Sequence, residues 1–162
     1  MEKIGVRDLA YFIHQSGDLT TEFFSNHDML VGSRAHDFLQ SQYSSLDKAE
    51  YYIKREISYL GKTYILDGYI DGVLNEDETI IIEEIKSTTK ELDEITIEYH
   101  KEHLAQAKIY AYLYALENNM DVINIRLTYI SVIDYDVKSF DMIAKFDELE
   151  DFTLSTLEAY IR

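Results

Sequence analysis

The chain has 162 residues, 46% hydrophobic and 28% charged, with no cysteine, no proline and a formal net charge of −16. That balance suits a single globular domain over 1–162 with a real core, not a disordered chain. The missing cysteines exclude disulfides, thiolate-held iron–sulfur clusters and thiol catalysis, which fits a reducing cytoplasm, and no apolar run approaches the roughly 18 residues of a membrane helix.

In chain order, the opening MEKIGVRDLAYF lacks the continuous apolar stretch of a signal peptide. Val6, Leu9, Ala10 and Ile13 follow helical spacing, and Gly17 is a plausible stop. A second helix is expected from about Gly32 to Tyr43, with Ala35, Phe38, Leu39 and Gln42 on one side. Glu50 to Leu60 and Lys62 to Leu74 read as strands around a turn at Gly61. Thr79 to Ser87 is a third strand, rich enough in isoleucine to suggest a central position. Tyr99 to Asn118 is a long helix without breakers. Ile123 to Ile133 and Asp136 to Phe146 are two further strands, and Phe146 to Ile161 is an amphipathic helix with Leu154, Leu157 and Ile161 at helical spacing. The expected fold class is α/β, a central mixed sheet flanked by helices.

The chemistry concentrates in GYIDGV (Gly68 to Val73) and IIIEEIKST (Ile80 to Thr88). Strand side chains alternate with a period of two, so Glu84 and Lys86 share a face with Ile80 and Ile82. A carboxylate and an ammonium on a buried face are costly unless paired or bound to a metal. Glu83 is out of phase and reads as structural, facing away between Ile81 and Ile85. Asp71, 13 positions before Glu84, reads either as a turn residue ahead of Gly72 or as a metal ligand. An Asp from one strand with Glu-x-Lys from the next supplies what a Mg²⁺ or Mn²⁺ phosphodiesterase needs: hard oxygen ligands and a cation for the water and the developing phosphoryl charge.

Two helices add candidates. His36, in GSRAHDFLQ, reads as a half-buried histidine bonded to backbone or as a neutral imidazole ligand. His103, Gln106, Tyr110 and Leu113 fall on one face of the long helix. There Tyr110 reads as core and Gln106 as satisfying a backbone group, or both stand over the catalytic face and hold the lysine, a water or a phosphate. The 14 tyrosines are spread over strands and helices and read as core filler, not as a stacking platform. Arg34, Lys86, Lys90, Lys101 and Lys108 form either a modest phosphate track or a solvated rim.

The ordered set His36, Asp71, Glu84-x-Lys86 and Gln106-x-x-x-Tyr110 resembles the PD-(D/E)xK nuclease superfamily, in its RecB-like exonuclease branch. Gly32, His36 and Leu39 match its G-x-x-x-H-x-x-L helix, Gly68 to Asp71 its G-x-x-D element, and Ile82 to Ser87 its hydrophobic strand ending in (D/E)-x-K-(S/T). The likeness spans roughly Val6 to Leu116. The opening VRDLAYFIHQSGDLTTEFF is also similar to the N-terminal nuclease-like module of some bacterial DinG-type helicases, although the chain holds no G-x-x-x-x-G-K-(S/T). Ile70 stands where the superfamily's proline is found, and the cysteines of its iron–sulfur members are absent.

The resemblance implies a restriction-endonuclease-like core and hydrolysis of DNA, as an exonuclease in repair or recombination, with an endonuclease as the other mode. Asp71, Glu84 and the Ile85 carbonyl would coordinate Mg²⁺ or Mn²⁺, and His36 would complete the site or hold a second metal. Lys86 would activate the water or stabilise the transition state, supported by Gln106 and Tyr110. The implied partners are DNA and a helicase domain or subunit. The net charge of −16 weighs against unaided DNA binding, because phosphate contacts normally come from a basic surface. It favours the other class considered, a non-catalytic acidic docking module of a helicase complex.

Overall fold

The computed structural model describes residues 1–14 and 26–162. The expected helix stop at Gly17 lies outside the described residues, as does part of the helicase-like opening. The element order is β1 (Glu2–Gly5), α1 (Val6–His14), α2 (Asn26–Gln40), β2 (Lys48–Tyr59), β3 (Lys62–Glu76), β4 (Thr79–Thr88), a 3-10 turn (Leu92–Glu94), α3 (Lys101–Asn118), β5 (Val122–Ser131), β6 (Val137–Lys145) and α4 (Phe146–Ile161). The chain is an α/β fold with a mixed six-stranded sheet and four helices among the described residues.

Two differences from the sequence expectation are informative. β1 was not anticipated: its four residues bury only Ile4, too short a pattern to register as alternation, and its strand character comes from a parallel ladder with Tyr64–Asp67 of β3. α2 begins at Asn26 and ends at Gln40 instead of running from Gly32 to Tyr43.

The β2–β3 hairpin turns through Leu60 (φ 49°) and Gly61 (φ 80°), and the β3–β4 hairpin through Asp77 (φ 51°) and Glu78 (φ 68°). Positive φ at both central residues gives the twist that suits two-residue hairpins. β4 lies between β3, antiparallel, and β5, parallel, and residues Ile81 to Ile85 are all buried, as its isoleucine content suggested. The parallel β4–β5 step requires a crossover, and α3 supplies it. α3 is capped by Asn119 in the left-handed region (φ 54°), whose N–H donates to the Ala115 carbonyl.

The helices form two layers. Val6, Leu9 and Ala10 of α1, Ile109 and Leu113 of α3 and Leu149 and Leu157 of α4 share one core with Ile82 and Ile125 of the sheet. α3 is buried on several sides between the sheet, α1 and α4, which is why its apolar pattern runs most of the way around. α2 covers the opposite face, where Ala35 and Leu39 pack on Ile85 and Ile130.

The regular alternation fails at one place. Ile70 and Val73 of β3 are three residues apart, yet both lie in the main core. Strict period-two alternation would put them on opposite faces. The β2–β3 ladder keeps one register, pairing Ala49 with Gly72 and Tyr51 with Ile70, but Glu50 and Asp71 between them do not pair, and Glu50 stands at this interruption with φ 52°. A non-glycine residue there costs about 1–3 kcal/mol. The β3–β4 ladder ends next to this point, at Gly72–Glu83.

Candidate active site

The interruption lies where β3 parts from β4, and Asp71 stands at it. Its Oδ2 accepts the Ile85 N–H at 2.7 Å, so the side chain takes the place of a missing ladder partner. A strand residue directs its N–H and C=O to the same side, so the Ile85 carbonyl also opens on the Asp71 side of β4. Across from it, α2 presents His36 Nε2 at 3.3 Å from Asp71 Oδ1, a close approach without hydrogen-bond alignment.

Glu84 and Lys86 emerge on the α3 face, in the phase expected of them. Lys86 Nζ donates to Gln106 Oε1 at 2.9 Å and reaches the Tyr11 hydroxyl at 3.4 Å, with Glu84 Oε2 at 3.8 Å. Gln106 therefore holds the lysine and does not satisfy a backbone group through that oxygen. Tyr110 is buried and stands against Gly68, where an added Cβ would overlap its hydroxyl and crowd its ring. The glycine of G-x-x-D is thus the seat of the tyrosine of Q-x-x-x-Y. Gly32 serves α2 similarly: a Cβ there would lie 2.8 Å from Ser87 Oγ.

Glu84 is 2% exposed, Asp71 9% and Gln106 6%. Burial, then the neighbouring Asp71 charge, pushes the Glu84 carboxyl well above its usual range. Burial also opposes the Asp71 charge, but His36, Glu84 and the Ile85 N–H outweigh it and hold Asp71 below the usual carboxylate value. The pair therefore shares one proton, carried by Glu84. For His36, burial works against protonation, and the Asp71 carboxylate with Glu50 and Asp37 overcomes it, leaving the imidazole raised above its usual value. Burial, followed by the neighbouring carboxyls of Glu84 and Asp71, raises Tyr110 and keeps it a neutral phenol.

Glu83 faces the other side, as its phase required. It is buried, accepting from Tyr43 Oη at 2.5 Å and Thr128 Oγ1 at 2.6 Å. Burial raises its pKa against those two hydrogen bonds. His103, on the Gln106 face of α3, has Nδ1 2.9 Å from the Tyr129 hydroxyl. Burial and the positive charge of Lys86 lower its pKa to about 2, so it is uncharged. Of the basic residues, Lys101 and Lys108 line a groove with Phe152 of α4 that holds none of the candidate residues, and Lys90 sits over the Tyr99 ring.

The structure brings Asp71, Glu84, Lys86, Gln106, Tyr110, His36 and the Ile85 backbone together. It adds three residues that the sequence did not single out. Tyr11 of α1 lies under Lys86, whose Nζ is 5.6 Å from the ring centre. Gln40 of α2 donates through Nε2 to the Asp71 carbonyl at 2.8 Å and to Glu50 Oε1 at 2.9 Å. Glu50 of β2 completes a cluster in which ligand atoms of His36, Glu50 and Asp71 lie within 4.8 Å of one another. Gln40 was findable, one helical turn beyond His36 on the same face; Glu50, in the unpatterned KAEYY, was not.

The donor set suits a divalent cation. Among the described residues two buried ligand-type atoms, His36 Nε2 and Glu84 Oε1, lack a hydrogen-bond partner, and the buried carboxyls of Asp71 and Glu84 adjoin. Buried polar atoms are normally paired.

No protein-family model matches the chain, and no curated protein matches it. Among solved structures it is similar in fold to the crystal structure of SSO0001, with a TM-score of 0.63 and 19% sequence identity, over 98% of this chain and 77% of that one. Among the described residues no helix is long and apolar enough to cross a membrane.

Proposed function

We propose that this chain is a Mg²⁺- or Mn²⁺-dependent nuclease hydrolysing phosphodiester bonds in DNA, of the RecB-like PD-(D/E)xK kind, working in the cytoplasm in repair or recombination. The observation that carries this reading is the convergence of Asp71, Glu84 and Lys86 from adjacent strands, with the Lys86 ammonium held by Gln106 beside two buried carboxylates.

His36, Asp71, Glu84 and the Ile85 carbonyl would hold the metal, which when bound supplies Lewis-acid polarisation of the phosphate and a more acidic water. Lys86 has three N–H donors, and its anchors on Gln106 and Tyr11 leave capacity for the attacking water or a phosphoryl oxygen. There it stabilises the negative charge that builds as the water oxygen bonds to phosphorus and the bond to the leaving oxygen breaks. The sheet backbone and Gly68 fix Tyr110 beneath this group, so the lysine and carboxylates meet the phosphate already oriented.

The net charge of −16 favours a second reading, an acidic docking module for a helicase. End-labelled linear and circular single-stranded DNA, incubated with Mn²⁺ and wild-type or Lys86→Ala protein, separates the two. Cutting of linear DNA that the variant lacks supports an exonuclease, and cutting of circles an endonuclease. Absence of cutting, or equal cutting by Lys86→Ala, refutes catalysis at this site.

A further inference from the structure

We infer that Glu50 is an additional side-chain ligand of the metal position, closing it on the solvent side next to His36 and Asp71; this rests on the metal-dependent reading above. Ligands of one Mg²⁺ stand no more than about 4.2 Å apart, twice a roughly 2.1 Å bond. The ligand atoms of His36, Glu50 and Asp71 are within 4.8 Å of one another, so a few tenths of an ångström of closure would seat a cation. Among the described residues two further atoms beside this cluster lack a hydrogen bond: Oε1 of Glu84, which is 2% exposed and packed against Asp71, and His36 Nε2, shielded from solvent and 3.3 Å from Asp71 Oδ1 without hydrogen-bond alignment.

The backbone explains why Glu50 is on hand. It stands opposite Asp71 where the β2–β3 ladder is interrupted, itself in the left-handed conformation at φ 52°. One amide, Gln40 Nε2, ties the Glu50 carboxylate to the Asp71 carbonyl, aligning the two acids from α2. Glu50 is exposed whereas Asp71 and Glu84 are buried, so it forms the open wall of the position.

The test uses the full chain after chelation, titrated with Mn²⁺ alone and followed by the electron paramagnetic resonance signal of free Mn²⁺. Glu50→Gln keeps the side-chain shape and an oxygen for Gln40. It is expected to weaken Mn²⁺ binding by at least about tenfold, the loss typical of even an indirect partner of a metal, without lowering the melting temperature of the metal-free protein. Because the chain has no cysteine, Glu50→Cys introduces a single thiolate. With Cd²⁺ it should give a thiolate-to-metal charge-transfer band, as a soft ligand in direct contact does. Wild-type affinity in Glu50→Gln, or no such band in Glu50→Cys, overturns the assignment of Glu50 while leaving the nuclease reading intact. Failure of the wild type itself to bind Mn²⁺ overturns both.

Discussion

Glu84→Gln in the metal-free protein tests the electrostatics of the site apart from catalysis. Because burial and the Asp71 charge raise the Glu84 pKa, the folded protein keeps a proton above pH 4.5 that the unfolded chain has released. The native state then binds more protons, so stability falls as pH rises from 4.5 towards the folded pKa. A full proton of difference is worth about 1.4 kcal/mol per pH unit, or about 3–5 °C in melting temperature for a domain of this size. Glu83, also raised by burial, adds a slope of the same sign, and His36, raised as well, adds a loss only above 6.5. The stabilisation from Asp71, whose pKa is lowered, disappears only below 3.8. The difference between wild type and Glu84→Gln therefore isolates Glu84. Thermal melts in chelator between about pH 5 and 6.5 should give the variant a shallower decline, by up to about one proton's worth. Equal slopes would refute the shared-proton description of the pair.

Two further substitutions examine the packing that builds the site. Gly68→Ala drives a methyl into the Tyr110 hydroxyl and should cost about 1–3 kcal/mol, lowering the melting temperature by about 2–4 °C per kcal/mol; Tyr110→Phe should recover part of that loss in the double variant, and additive effects would show that the two residues do not meet. Tyr43→Phe removes one of two hydroxyl donors to the buried Glu83 and should cost about 1–3 kcal/mol, read from chemical denaturation, with DNA cleavage per folded molecule unchanged because Glu83 lies across the sheet from Lys86.

The sequence alone determined what local geometry encodes. Period-two alternation put Glu84 and Lys86 on one face and Glu83 on the other. Helical spacing put Gln106 and Tyr110 on one face, and the isoleucines of β4 marked the centre of the sheet. These follow from steric repeats within one segment, so residue order suffices. Only the tertiary structure decided the rest. β1 is a strand because β3 offers it a parallel ladder, and Tyr11 meets Lys86 because α1 packs against α3. The interruption at which Asp71 turns to the Ile85 N–H, with Glu50 opposite, departs from the alternation that a strand pattern assumes. Its cost is offset by hydrogen bonds and packing among β2, β3, β4 and α2, segments distant in sequence, so no local pattern carries it.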